Sequence, residues 1–141
     1  MLIRGGCHCG NISFDLDWQP DPAEIQARAC GCTFCTKHGG VWTSNPAASL
    51  RVQVKDASLV SAYEFGTKTA TFHVCGRCGV VPFVTSDIDG RRYAVVSVNA
   101  FSNVDPAIIR RAPASFDGEE VDSRLARRKR NWIGDVRLVE G

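Results

Sequence analysis

The sequence predicts a mainly β protein of small antiparallel sheets with a short C-terminal helix. Three observations carry this. Several runs alternate apolar and polar residues with period two, a hairpin dipeptide separates two such runs, and all seven cysteines fall into three tight clusters. At 141 residues the chain fits one domain, residues 1–141, long enough for a core and short enough for a metal staple to matter.

The strands come first in chain order. "NISFDLDW" sets Ile12, Phe14 and Leu16 against Ser13, Asp15 and Asp17, the pattern of a strand with one buried face. "LRVQVKD" repeats it at Leu50, Val52 and Val54. "VVPFVTSDIDGRRYAVVSVNAF" holds two strand-like runs joined through Asp89-Gly90, a hairpin signal. The architecture is therefore mostly antiparallel.

Helical signals are fewer. "DPAEIQARA" offers Asp21 as an N-cap with Pro22 at the first helical position, and reads equally well as a loop with one turn. "FDGEEVDSRLARRKRNW" is the stronger candidate. Asp117 and Glu120 resemble a capping box, acidic residues lead and basic ones follow, and Val121, Leu125 and Trp132 fall near one face.

Composition bounds the function. A net charge of +2 supplies no strong field for nucleic acid or an anionic membrane. The N-terminus lacks the apolar run of a signal peptide, and no stretch reaches the roughly 20 apolar residues of a membrane helix. The expected setting is the cytoplasm, where thiols stay reduced, so C-x-C and C-x-x-C spacings point to metal rather than to disulfides.

Geometry sorts the thiols. Cys7 and Cys9 in "CHC" point to one side of an extended chain, and Cys75 and Cys78 in "CGRCG" have knuckle spacing, with Gly76 and Gly79 relieving the turn. Together they make a four-thiolate zinc site, which closes a loop of about 66 residues and contributes directly to folding. Cys30, Cys32 and Cys35 in "CGCTFC" supply three corners of a second tetrahedron. The fourth is either open to substrate, as in a catalytic zinc, or closed by His38 of "CGCTFCTKH".

The ordered set "GGCHCG", "CGCTFC", "FHVCGRCGVVPF" and "YAVVSVNAF" resembles the glutathione-dependent formaldehyde-activating (GFA) family, also called the centromere protein V (CENP-V) domain, over roughly residues 3–135. The resemblance implies an Mss4-like, or β-tent, arrangement of antiparallel sheets stapled by two zinc ions per chain. It implies that Cys7, Cys9, Cys75 and Cys78 hold a structural zinc and that Cys30, Cys32 and Cys35 hold a catalytic one with an open fourth position. The implied reaction joins glutathione, or a similar thiol, to formaldehyde or another small aldehyde, giving a hemithioacetal; in reverse it is a carbon–sulfur lyase, and its setting is aldehyde detoxification. Thr33, Phe34 and Thr36 depart from the family's usual C-x-C-S-x-C-R/K pattern, which leaves the thiol and the aldehyde open.

The remaining residues have plainer readings. His38 and His73 suit proton transfer near neutral pH but read first as structural or surface residues, and His8 as solvent-facing. Trp42, Phe83, Tyr93 and Trp132 read as core or pocket wall, Arg77 as a surface ion pair, and Asn99 as a turn or pocket residue. The competing class is a non-catalytic, zinc-stapled binding module, suggested by the basic "RLARRKRNW". The preceding "DGEEVD" and the lack of interleaved aromatics argue against nucleic acid as its partner. The oligomeric state is not set by the sequence.

Overall fold

The computed structural model describes residues 1–140. Two sheets form the body of the protein, with an Mss4-like organisation. The first holds β1 (Leu2–Gly6), β2 (Ile12–Asp17), β5 (Ser49–Val54) and β11 (Asp135–Glu140), in the order β1-β2-β5-β11. The second holds β3 (Ile25–Cys30), β4 (Val41–Thr43), β6 (Val60–Tyr63), β7 (Thr71–Cys75), β8 (Phe83–Ile88), β9 (Arg91–Ser97) and β10 (Ile109–Ala114), in the order β10-β3-β4-β9-β8-β7-β6. Two helices, α1 (Thr33–His38) and α2 (Val121–Asn131), pack against them.

The predicted alternation is realised in β2 and β5. Ile12, Phe14 and Leu16 are buried while Asp15 and Asp17 are exposed, and Leu50, Val52 and Val54 follow suit. Phe14 stands opposite Gly5 on one side and Val52 on the other, so the register places a large apolar residue at the centre of this sheet. Its buried face meets Ile25, Phe83, Ala94 and Val96 of the second sheet in one continuous core. Each fully buried Ile, Leu, Val or Phe of this kind contributes about 1.5–3 kcal/mol.

The β8–β9 hairpin turns through Asp89 and Gly90, both with positive φ, the signature of a type I′ turn. Its strands are buried almost throughout, because each face of the sheet is covered. Phe83, Ala94 and Val96 point into the first core. Val84, Ile88, Tyr93 and Val95 join Trp42, Trp132 and Cys35 in a second core, against which Leu125 of α2 also packs.

Several sequence expectations shift. "DPAEIQARA" forms no helix. Residues 21–24 are irregular, and Ile25–Cys30 is a strand with Ile25 and Ala27 buried and Gln26 exposed. Period-two burial against both sheets overrides a helix too short to hold itself together. The C-terminal helix begins at Val121 with Glu120 at its N-cap and no side-chain cap, so the Asp117–Glu120 capping box does not form. Val121, expected on the buried face, is 43% exposed. The sheets are also not wholly antiparallel: β10 runs parallel to β3, and β11 parallel to β5, each at a sheet edge.

Candidate metal centres and the adjoining cavity

Local turns gather the first cysteine group. Cys7 to Gly10 forms a turn, with the Gly10 N–H donating to the Cys7 carbonyl at 3.2 Å, so "CHC" is not the extended segment expected; His8 is nonetheless exposed. The second knuckle closes when Gly79 N–H donates to the Cys75 carbonyl at 2.7 Å and Cys75 N–H to Val80 at 2.9 Å. Gly79 has φ of +81° there, a conformation in which a side chain is strained.

The sulfurs of Cys7, Cys9, Cys75 and Cys78 all lie within 4.8 Å of one another. Cys7 Sγ is 3.7 Å from Cys9 Sγ, which is 3.5 Å from Cys75 Sγ. A zinc tetrahedron with bonds of about 2.3 Å has sulfur–sulfur edges of about 3.8 Å, so this donor set fits the ion. Ile12 N–H also donates to Cys7 Sγ at 3.2 Å, a bond that favours thiolate. Burial pushes the Cys7 thiol up to about 11. Cys78 goes the other way: burial opposes ionisation, but backbone N–H groups and the neighbouring thiols bring it down to about 6. Cys7 and Cys75 belong to the first core.

The second group sits at the end of β3 and the start of α1. Cys30 ends the strand, and Cys32 is the N-cap of α1, its sulfur accepting from Cys35 N–H at 3.3 Å. Cys35 lies in the first turn and is 2% exposed. Its sulfur accepts from the Trp42 indole N–H at 3.4 Å. The three sulfurs lie within 4.8 Å of one another, and among the described residues no fourth ligand atom comes that close to all of them. Hydrogen bonding with Cys35 lowers the Cys30 thiol to about 5, and the same contact, with burial, pushes Cys35 up. These are closely spaced sulfurs sharing protons, a donor set suited to a soft divalent cation.

Gly40 explains how the wall closes behind this group. A Cβ there would lie 2.9 Å from Trp42 Nε1 and 3.1 Å from Cys35 Sγ, so only glycine lets the chain pass so near the sulfur.

His38 does not join the sulfurs. It is exposed at the end of α1, with its ring against Phe34 at 4.4 Å and Trp42 at 6.1 Å. His73 is stacked on Phe83 at 4.2 Å and bonded to Thr85 Oγ1 at 2.7 Å; burial, reinforced by Arg92, lowers it to about 4, which leaves it neutral at cellular pH. Arg77 is exposed and in no ion pair among the described residues. Asn99 ties loops together, donating to the Gly39 carbonyl at 3.2 Å and accepting from Arg111 at 2.9 Å.

Cys30, Cys32 and Cys35 open into a cavity of about 270 Å³, whereas none of the other four cysteines lines it. Trp42, Phe65, Phe72, Phe116 and Trp132 give it an aromatic wall. Arg28, Arg124, Arg127 and Arg128 give it positive charge, with Asp117 its one acidic lining residue among those described. The sequence reading placed Trp42 and Trp132 on such a wall but missed the arginines. Their signal was the spacing in "RLARRKRNW": Arg124, Arg127, Arg128 and Trp132 fall at helical intervals on one face.

The family model of the glutathione-dependent formaldehyde-activating enzyme matches residues 2–113. The chain belongs to that family. It is also similar to a Rhodobacter sphaeroides protein of known crystal structure, at 30% identity over 74% of this chain and 92% of that one, with a TM-score of 0.56. For a GFA-family member, the match takes in all seven cysteines and ends before α2, so the helix that supplies three of the four cavity arginines lies outside it. No helix among the described residues is long and apolar enough to cross a membrane.

Proposed function

We propose that this GFA-family chain joins a thiol, glutathione or a smaller relative, to formaldehyde or another small aldehyde at the three-sulfur centre, and that the four-sulfur centre is structural. The observation that carries this reading is that Cys30, Cys32 and Cys35 alone among the cysteines open into the aromatic cavity. Both ions are taken to be zinc, two per chain, from the all-sulfur donor sets.

The reaction balances simply. The sulfur–hydrogen bond breaks, a sulfur–carbon bond forms at the aldehyde carbon, the carbonyl π bond opens, and the proton ends on the new hydroxyl. A zinc ion held by Cys30, Cys32 and Cys35 would supply the acidity that yields a thiolate at neutral pH. The protein's own groups do the rest. The Trp42 indole and Cys35 N–H fix two of the sulfurs by donating to them. The aromatic wall limits water. Asp117, the acidic group lining the cavity, is the candidate for carrying the proton. A cytoplasmic, reducing setting accords with seven free cysteines.

The test is consumption of formaldehyde by purified, zinc-loaded protein in the presence of glutathione, followed by NMR of the hemithioacetal under conditions where the uncatalysed reaction is measured in parallel. Acceleration that is lost in Cys32→Ser is the expected result. No acceleration with any thiol and aldehyde pair overturns the reading. The nucleic-acid alternative loses ground because Arg124, Arg127 and Arg128 line the cavity.

A further inference from the structure

The cavity holds more positive charge than its carboxylates offset. Arg127 forms a forked ion pair with Glu119, at 3.0 and 3.1 Å, and lies over the Phe116 ring at 3.8 Å. Arg124 reaches the same carboxylate at 3.9 Å. Arg28 and Arg128 have no carboxylate partner among the described residues. Arg28 donates to Ser44 Oγ at 3.2 Å. Arg128 donates through one nitrogen to Thr69 O, Thr69 Oγ1 and Ser86 Oγ, at 2.9 to 3.1 Å, all neutral acceptors.

Arg128 is the telling residue. It is 5% exposed, its Nε has no hydrogen-bond partner, and it lines the cavity with its guanidinium 5.0 Å from the Trp132 ring centre. Burying a guanidinium beside two other cations is costly unless an anion offsets it, and Glu119 offsets Arg128 less than Arg124 and Arg127 oppose it. Burial, then repulsion from Arg124 and Arg127, brings its pKa down only to about 10, so it stays charged at neutral pH. A fixed, dehydrated guanidinium lining a cavity is suited to receive a carboxylate oxygen on the terminal nitrogen that Thr69 and Ser86 leave unused.

We propose that the substrate is held by a carboxylate on Arg128, with Arg28 assisting, while the aromatic wall packs its carbon skeleton, so that one of the two co-substrates is a small organic acid. The cavity volume of about 270 Å³ is at the small end of ligand pockets, roughly 300–1,000 Å³, which favours a compact acid. Arg128 and Trp132 lie beyond the family-matched residues 2–113, so the argument for this selectivity comes from the cavity and not from the family match. The assignment to a co-substrate rests on the three-sulfur centre being the reactive one; the binding itself does not.

The experiment compares 3-mercaptopropionate with its methyl ester by calorimetry on the zinc-loaded protein, and glyoxylate with formaldehyde in adduct formation. A charge-assisted hydrogen bond predicts an acid preference of about 10- to 100-fold in at least one arm. Arg128→Gln removes most of it, and Arg28→Gln a smaller part. Preference in the thiol arm assigns the carboxylate to the thiol; preference in the aldehyde arm assigns it to the aldehyde. No preference in either arm overturns the proposal, and the wild-type comparison stands even if Arg128→Gln fails to fold. A preference that survives in both folded variants overturns it as well. Binding that depends on Arg128 without adduct formation from any pair sinks the proposed reaction and leaves this inference in place.

Discussion

The two cysteine groups use the same donor atom and nearly the same spacing, yet they sit in opposite surroundings. Of the four sulfurs, those of Cys7 and Cys75 belong to the core between the sheets, Cys78 packs against it and Cys9 is exposed, with a turn on each side. The three sulfurs belong to the second core and face a cavity whose other wall comes from α2 and the loop before it. Ligand chemistry alone therefore does not separate a staple from a reactive centre. The proposed division between them rests on the number of protein donors and on what lies beyond them.

The sharpest way to break this contrast is to remove one sulfur from each group. Cys75→Ser puts an oxygen at the fully buried corner of the four-sulfur set, and a structural zinc there would be worth roughly 10 kcal/mol or more. The expected outcome is loss of cooperative folding by circular dichroism, together with loss of bound metal by elemental analysis. Cys32→Ser should differ in kind. Ser is a good N-cap, so its Oγ can take over the bond from Cys35 N–H and α1 persists. Metal content should fall from two to one while the melting transition stays cooperative, and activity should drop by on the order of a thousandfold. Loss of both metals in Cys32→Ser would show that the two centres are not independent.

Smaller changes sharpen the contrast. Trp42→Phe deletes the indole N–H that donates to Cys35 Sγ; metal titration should show weakening of about 10- to 100-fold at the three-sulfur centre only. Gly40→Ala forces a methyl against that indole and sulfur, and a denaturant melt should register about 1–3 kcal/mol of overpacking. Arg77→Ala, in the middle of the four-sulfur knuckle but exposed, should change stability by no more than about 0.5 kcal/mol. A larger loss there would mean that the knuckle depends on a contact of this side chain.

Legibility in the sequence followed sequence distance. The β2 and β5 alternation and the Asp89-Gly90 turn are local patterns, and they were readable. The strands β10 and β11 were not: each pairs in parallel at a sheet edge with a partner more than about 80 residues earlier, and no turn residue announces such a pairing. "DPAEIQARA" has helix-starting residues, but burial of Ile25 and Ala27 decided for a strand. The basic run of α2 suggested a binding module because charge was counted without phase. Three of its arginines line the cavity, where Glu119 and Phe116 of the preceding loop, Thr69 and Ser86 receive them.

What the sequence determined by itself is the chemistry available: seven soft donors in three groups, membership in the GFA family, and the mainly β character that follows from period-two burial. Tertiary structure alone decided which donors meet. It closed the 66-residue separation between Cys9 and Cys75 to 3.5 Å, left His38 outside the three-sulfur group, and faced that group with arginines from a distant helix. The physical reason is that coordination and charge recognition depend on distances of a few ångströms in space, while a chain records only separation along itself.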